Sequence, residues 1–234
     1  MKRILLLLVL LTACTPKYQP PPPPQYTYRD TQIAYVEKPK PIPAKGLIIV
    51  DPGHGGEDEG TKSLSKPVYA EKSFNLITAK FVSSYLRQMG YQVMMTRIDD
   101  NFVSLKNRYE MTNRENPRLF VSVHYNAAPS SDAHGIEVFY YRSDENANRT
   151  QESKKLAQLA LSQLISSTQA KSRGVKHGDY AVIRETKVPA ILVEGGFLSN
   201  DDELTKIKDP NYLKQVAWGI AQGINKYLSL KDEG

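Results

Sequence analysis

Nine prolines lie between residues 15 and 45, five of them consecutive at Pro20–Pro24. Proline at that density favours extended polyproline II and offers few backbone donors, so this stretch cannot build a packed core. It reads as a spacer, reaching on the order of 90 Å when extended at ~3.1 Å per residue. Folding is thereby confined to Gly46 onward, a length that suits one domain. The spacer also explains the charge. The chain carries a formal +6, but residues 15–45 hold +3 of it, Lys2 and Arg3 another +2, and residues 46–234 only +1. A nearly neutral body has no basic surface to grip a phosphate backbone, so no nucleic-acid partner is expected.

The extreme N-terminus has the form of an export signal. Met-Lys-Arg precedes an apolar run, Ile4–Leu11, and then Thr12-Ala13-Cys14. That run is far shorter than the ~20 residues a membrane-spanning helix needs. Leu11-Thr12-Ala13-Cys14 resembles the bacterial lipobox, in which the cysteine is lipidated and becomes the mature N-terminus. Cys14 is the chain's one cysteine, which excludes an intramolecular disulfide framework and any cysteine-based zinc cluster. An ordinary signal peptide ending near a cysteine is the alternative. The expected division is a signal peptide over residues 1–13, lipidation at Cys14, a proline-rich tether over 14–45 and one catalytic domain over 46–234. The implied location is an exported lipoprotein facing the periplasm and held to a membrane through Cys14. Thr15 rather than aspartate after the cysteine favours the outer membrane over the inner by resemblance to Gram-negative lipoproteins.

From Gly46 the pattern alternates. Leu47-Ile48-Ile49-Val50 is an apolar run meeting Asp51-Pro52-Gly53, which predicts a buried strand and a turn. Apolar residues at helical spacing predict a helix over 71–89, with Gly90 closing it. Further strands are expected at 91–96, 119–123, 136–141, 180–184 and 190–193. Helices are expected at 105–116, 151–166 and 211–228, with one more just before the last. Strand–helix alternation predicts an α/β fold whose sheet is covered by helices on both faces.

Two of the four histidines follow strands directly: His54 in Asp-Pro-Gly-His-Gly-Gly, and His124 in Ser-Val-His-Tyr-Asn. Glu71 opens the first long helix, and Glu194 follows Ile191-Leu192-Val193. In open α/β sheets ligands bind at the carboxyl ends of strands, so all four converge on one rim. Two imidazoles and one carboxylate make a catalytic zinc set with a fourth position for water, whose pKa falls from ~15.7 towards ~7. A second, unliganded carboxylate then moves the proton to the leaving group. Each residue alone has a plainer explanation: a histidine after a strand is usually just a polar residue, and a glutamate favours a helix start. Only their conjunction suggests a metal hydrolase. The His-Glu-x-x-His protease signature is absent.

Four ordered segments carry a closer likeness: Val50–Gly56, Glu71-Lys72, Ser122–Ala127 and Val188–Asn200. Together they resemble the zinc-dependent N-acetylmuramoyl-L-alanine amidases of the cell-division and sporulation family, over about residues 46–228. The resemblance implies a mixed, mostly parallel sheet of about six strands. It also implies that His54, Glu71 and His124 bind Zn²⁺ and that Glu194 is the catalytic carboxylate. The implied substrate is peptidoglycan, cut between the muramic acid lactyl group and L-alanine of the stem peptide, with cell-division or envelope proteins as further partners. The rival readings are a zinc carboxypeptidase or endopeptidase acting within the stem, and a silent wall-binding lipoprotein. Some relatives insert a helix that plugs the site. Residues 141–174 hold only one amphipathic helix, so an open site is expected. Lesser candidates are Asn126, to bind substrate or orient His124; Arg184, to meet stem-peptide carboxylates; and Asp51, as a partner for a ligand histidine or a turn former. His134 and His177 are expected to be uninvolved.

Overall fold

The computed structural model describes residues 45–233. The expected leader, the Cys14 anchor and the tether as far as residue 44 lie outside those residues. Six strands form one sheet in the order β2-β1-β3-β6-β4-β5. Strand β1 (Leu47–Pro52) runs parallel to β2 (Gln92–Met95) and β3 (Leu119–Asn126), and β3 runs parallel to β6 (Ala190–Phe197). Strand β4 (Ile136–Tyr140) is antiparallel to β6, and β5 (Ser172–His177) is parallel to β4. The sheet is therefore mixed and mostly parallel.

Successive side chains on a strand point to opposite faces, and here the two faces differ in kind. One presents Ile48, Val50, Val121, Val123, Val138, Ile191 and Val193 to the main apolar core. Three long helices cover it: α1 (Glu71–Gln88), α3 (Ala147–Thr168) and α6 (Pro210–Asp232). Helices α3 and α6 meet backbone to backbone, since a Cβ on Gly223 would sit 2.4 Å from the Ala160 Cα. The other face carries a smaller cluster of Ile49, Phe120, Phe139, Ala190 and Leu192, joined by Val182 and Ile183. Among the described residues, only α2 (Leu105–Glu115) and the single turn α4 (Ala181–Arg184) lie on this side; α5 (Asp201–Ile207) follows β6. Towards the strand ends the alternate positions of this thinner face become polar: Asp51, Ser122, His124 and Glu194.

Two expectations need correction. Residues 180–184 are not a strand; Ala181–Arg184 form α4, with Val182 and Ile183 buried against the thin face. A short apolar run is consistent with either state, and burial alone does not choose. The strand beside β4 is instead β5, Ser172-Arg-Gly-Val-Lys-His, a half-exposed edge too polar to register as a strand. Strands β3 and β6 also extend further than expected, so His124 and Glu194 sit inside the sheet rather than past it.

Candidate active site

The site begins where β1 ends. His54 adopts a left-handed backbone, φ 57°, followed by Gly55 at 132° and Gly56 at 61°. Such a conformation costs a non-glycine residue about 1–3 kcal/mol and persists only when its surroundings impose it. Two buried arginines do so. Arg108, 2% exposed, donates to Asp51 Oδ1 at 2.6 Å, to the Pro52 carbonyl at 2.7 Å and to the His54 carbonyl at 2.8 Å. Arg97 donates to the carbonyls of Pro52 at 3.0 Å and Gly53 at 2.8 Å. Asp51 also accepts from Ser122 Oγ at 2.7 Å and from Thr96. Burial pushes the Asp51 carboxyl up, but Arg108, Thr96 and Ser122 outweigh it and hold the group below its ordinary value. Asp51 thus anchors the loop and touches no histidine ring.

That loop brings His54 to Glu71 and His124. His54 Nε2 lies 3.1 Å from Glu71 Oε2, and His124 Nδ1 lies 2.8 Å from Glu71 Oε1. One donor atom from each of the three residues falls within 4.8 Å of the others. These separations approach the ~3.3 Å edge of a tetrahedron around an ion bonded at ~2.0 Å. Space is reserved around them: a Cβ on Gly60 would fall 2.6 Å from Glu71 Oε2, and one on Gly53 would fall 2.1 Å from the His124 ring. Glu71, at the first turn of α1, accepts from the amides of Thr61 (2.9 Å) and Tyr125 (3.2 Å) and from Asn75 Nδ2 (3.0 Å). Burial raises its carboxyl, yet bonds from His124 and His54 hold it well below the usual range, so it stays anionic. Behind His54, Asp58 Oδ2 meets Nδ1 at 2.8 Å, which leaves Nε2 facing the cluster. Two imidazoles, that of His54 held from behind by Asp58, and an anionic carboxylate suit a divalent metal ion.

Glu194 sits beside this cluster. It is paired in register with His124 on β3 and with Glu137 on β4. The residue is 7% exposed, and its Oε2 is buried without a hydrogen-bond partner. Burial, then the nearby charges of Glu71 and Glu137, push its carboxyl well above the usual range. Glu137 differs, because Arg173 (3.0 Å) and Lys176 donate to Oε2 and Asn126 Nδ2 donates to Oε1 (2.9 Å). Burial raises Glu137, and the two cations more than offset it. Glu194, Glu71 and both histidines line one cavity of about 690 Å³ that also reaches Leu192 and Val182 on the thin face.

Asn126 lines this cavity, but its amide is committed to Glu137 and to the Ala127 amide, and it does not bond His124. Arg184 is not among the lining residues. It is half-buried on α4 and paired with Asp179 and Glu185. His177 accepts from the Arg142 amide, and His134 lies on an exposed loop against the Asp132 carbonyl. No residue of α3 lines the cavity; that helix lies on α6 and β4. Sequence reasoning missed Asp58, Arg97, Arg108 and Glu137. Only Glu137 left a signal, a charge inside the apolar run Ile136–Tyr140.

Comparison with known proteins agrees with this geometry. Residues 48–226 match the family described as N-acetylmuramoyl-L-alanine amidase. The probable cell wall amidase LytH of Staphylococcus aureus is 34% identical over 204 residues, covering 87% of this chain and 65% of its own length. The chain therefore spans just under two thirds of that relative. Among solved structures, the catalytic domain of CwlV, an N-acetylmuramoyl-L-alanine amidase from Bacillus (Paenibacillus) polymyxa var. colistinus, is 38% identical with a TM-score of 0.72. The alignment covers 78% of this chain and 98% of that one. An N-acetylmuramoyl-L-alanine amidase from Clostridium difficile 630 is 37% identical with a TM-score of 0.74, covering 79% and 97%. Fold, cluster and sequence agree: the chain belongs to the N-acetylmuramoyl-L-alanine amidase family.

Proposed function

We propose that this protein is a zinc-dependent amidase that hydrolyses the bond between the muramic acid lactyl group and L-alanine in peptidoglycan. The observation that carries the reading is the His54–Glu71–His124 cluster sharing one cavity with the unpartnered Glu194 carboxyl, in a chain of this family. His54, Glu71 and His124 would hold the ion, and the two-nitrogen, one-oxygen set favours zinc. A zinc ion held by these three residues would supply Lewis acidity for an amide carbonyl and for water. Glu194 then has the proton work. In its carboxylate form, with one oxygen free of any partner, it would take a proton from the attacking water and deliver it to the departing alanine nitrogen. Asp58 keeps the His54 ring in the orientation that directs Nε2 inward. The arginine clamp keeps His54 within reach of Glu71.

Digestion of purified sacculi by the protein tests the bond assignment. Released stem peptides with a free N-terminal L-alanine are expected. Shortened stems still attached to muramic acid would replace this reading with a carboxypeptidase or endopeptidase, and intact sacculi would favour a wall-binding role. We further infer an exported lipoprotein tethered through Cys14, with an outer-membrane destination favoured; the leader and the lone cysteine support this. Cys14→Ala is expected to abolish lipid labelling and release the protein from membranes.

A further inference from the structure

The stretch between the two clamping arginines has a property that the fold does not require. Arg97 and Arg108 are both bonded to the Pro52–His54 loop, so residues 98–107 are fixed at either end to the loop that carries His54. The middle lies directly on that loop, where a Cβ on Gly56 would meet the Phe102 amide nitrogen at 2.7 Å. Yet Phe102 and Leu105, both lining the cavity, are 51% and 58% exposed. Large apolar side chains exposed at the lip of a cavity suit a ligand better than they suit water.

The charges along the same cavity are unequal. Its acidic groups are Asp51, Asp58, Glu71 and Glu194, and its lysine and arginine side chains are Arg108 and Lys106. Arg108 is buried against Asp51. Lys106 is 69% exposed, and its one ion pair is a loose 3.7 Å approach to Glu110, itself more than half exposed. A pair of that kind contributes almost nothing, so the ammonium is free to turn to a ligand.

Resting on the amidase reading above, we propose that Phe102, Leu105 and Lys106 form the peptide-reading wall of the cleft. Phe102 and Leu105 cover the aliphatic part of the stem peptide, and Lys106 pairs with its first free carboxylate, the α-carboxylate of the D-isoglutamyl residue after L-alanine. A charge-assisted contact of this sort is worth about tenfold in discrimination against a neutral isostere.

The test uses two muramoyl-L-alanyl peptides that differ only in a carboxylate or a carboxamide at that position. The wild-type protein with zinc bound is expected to favour the carboxylate about tenfold in kcat/KM, the difference lying in KM. Lys106→Ala should collapse the ratio towards one, Lys106→Glu should invert it, and Lys106→Arg should restore it. A wild-type ratio near one, or a ratio that survives in Lys106→Ala, overturns the proposal while leaving the amidase reading intact. A wild-type enzyme that cleaves neither peptide and releases no stem peptides from sacculi overturns both.

Discussion

The two faces of the sheet hold together by different physics. The thick face, under α1, α3 and α6, is sealed by apolar packing in which Leu156, Leu164, Val216 and Ile220 are fully buried. The thin face carries a smaller apolar cluster and, around it, buried charge: Asp51, Arg97 and Arg108, with Glu194 near by. Packing is tolerant of small adjustments, whereas a hydrogen-bonded network fixes positions and costs a great deal when half removed. The comparison teaches that stability is drawn mainly from one side and site geometry from the other.

The strongest test of that division is at Glu194. Glu194→Gln should keep bound zinc and fold, while kcat falls by about 10²–10⁴, or roughly 3–5 kcal/mol in barrier. Turnover close to wild type, with metal content measured alongside, would remove Glu194 from the chemistry. Next in size is a matched pair. Arg108→Leu strands the Asp51 charge and should cost about 3–5 kcal/mol, with weaker metal affinity as the His54 loop relaxes. Leu164→Ala should cost about 2–5 kcal/mol on the thick face and leave metal affinity untouched where the protein is folded. Equal metal loss in both variants, read by denaturation and zinc titration, breaks the comparison.

Asp58→Ala should weaken zinc binding by about 10–100-fold, since it removes the group behind His54 together with a bond to the Gly60 amide. A competition titration measures this, and unchanged affinity would mean that the clamped backbone alone orients the ring. The smallest effect is in acid. Asp51 titrates below its ordinary 3.8 when folded, so its contribution is present above that pH and is lost as pH falls through the lower, folded value. The slope of stability below about pH 4 should therefore be shallower in Asp51→Asn than in the wild type. An identical slope would assign acid sensitivity to other carboxylates.

How much of this was legible depended on whether the signal was local. Helix α1 announced itself by apolar spacing, and β1, β3 and β6 by continuous apolar runs. His54, His124 and Glu194 stood out as polar residues where such runs meet turns. Strand β5 left no pattern because an edge needs only one buried side, and α4 mimicked a strand because four residues show no period. Arg97 and Arg108 were invisible for another reason. An arginine in a helix or after a strand reads as surface, and only tertiary structure reveals that each faces carbonyls 44 to 56 positions away. The clamp is a property of the folded chain rather than of any segment.

The reversal of β4, which β5 shares, has a further effect. Because β4 runs antiparallel to β6, it starts at the rim where β3 and β6 finish, and Glu137 enters beside Glu194. The connection from Asn126 to Ile136 therefore leaves the sheet and returns to it on the reaction side, without crossing to the other end. That connection is held to the chain after β6, through Ala128 to Ser199 Oγ (3.0 Å), Asn200 Nδ2 to the Ser131 carbonyl (2.7 Å) and Gly135 to Glu203 Oε1 (2.8 Å), so the rim is braced from the same side on which it opens.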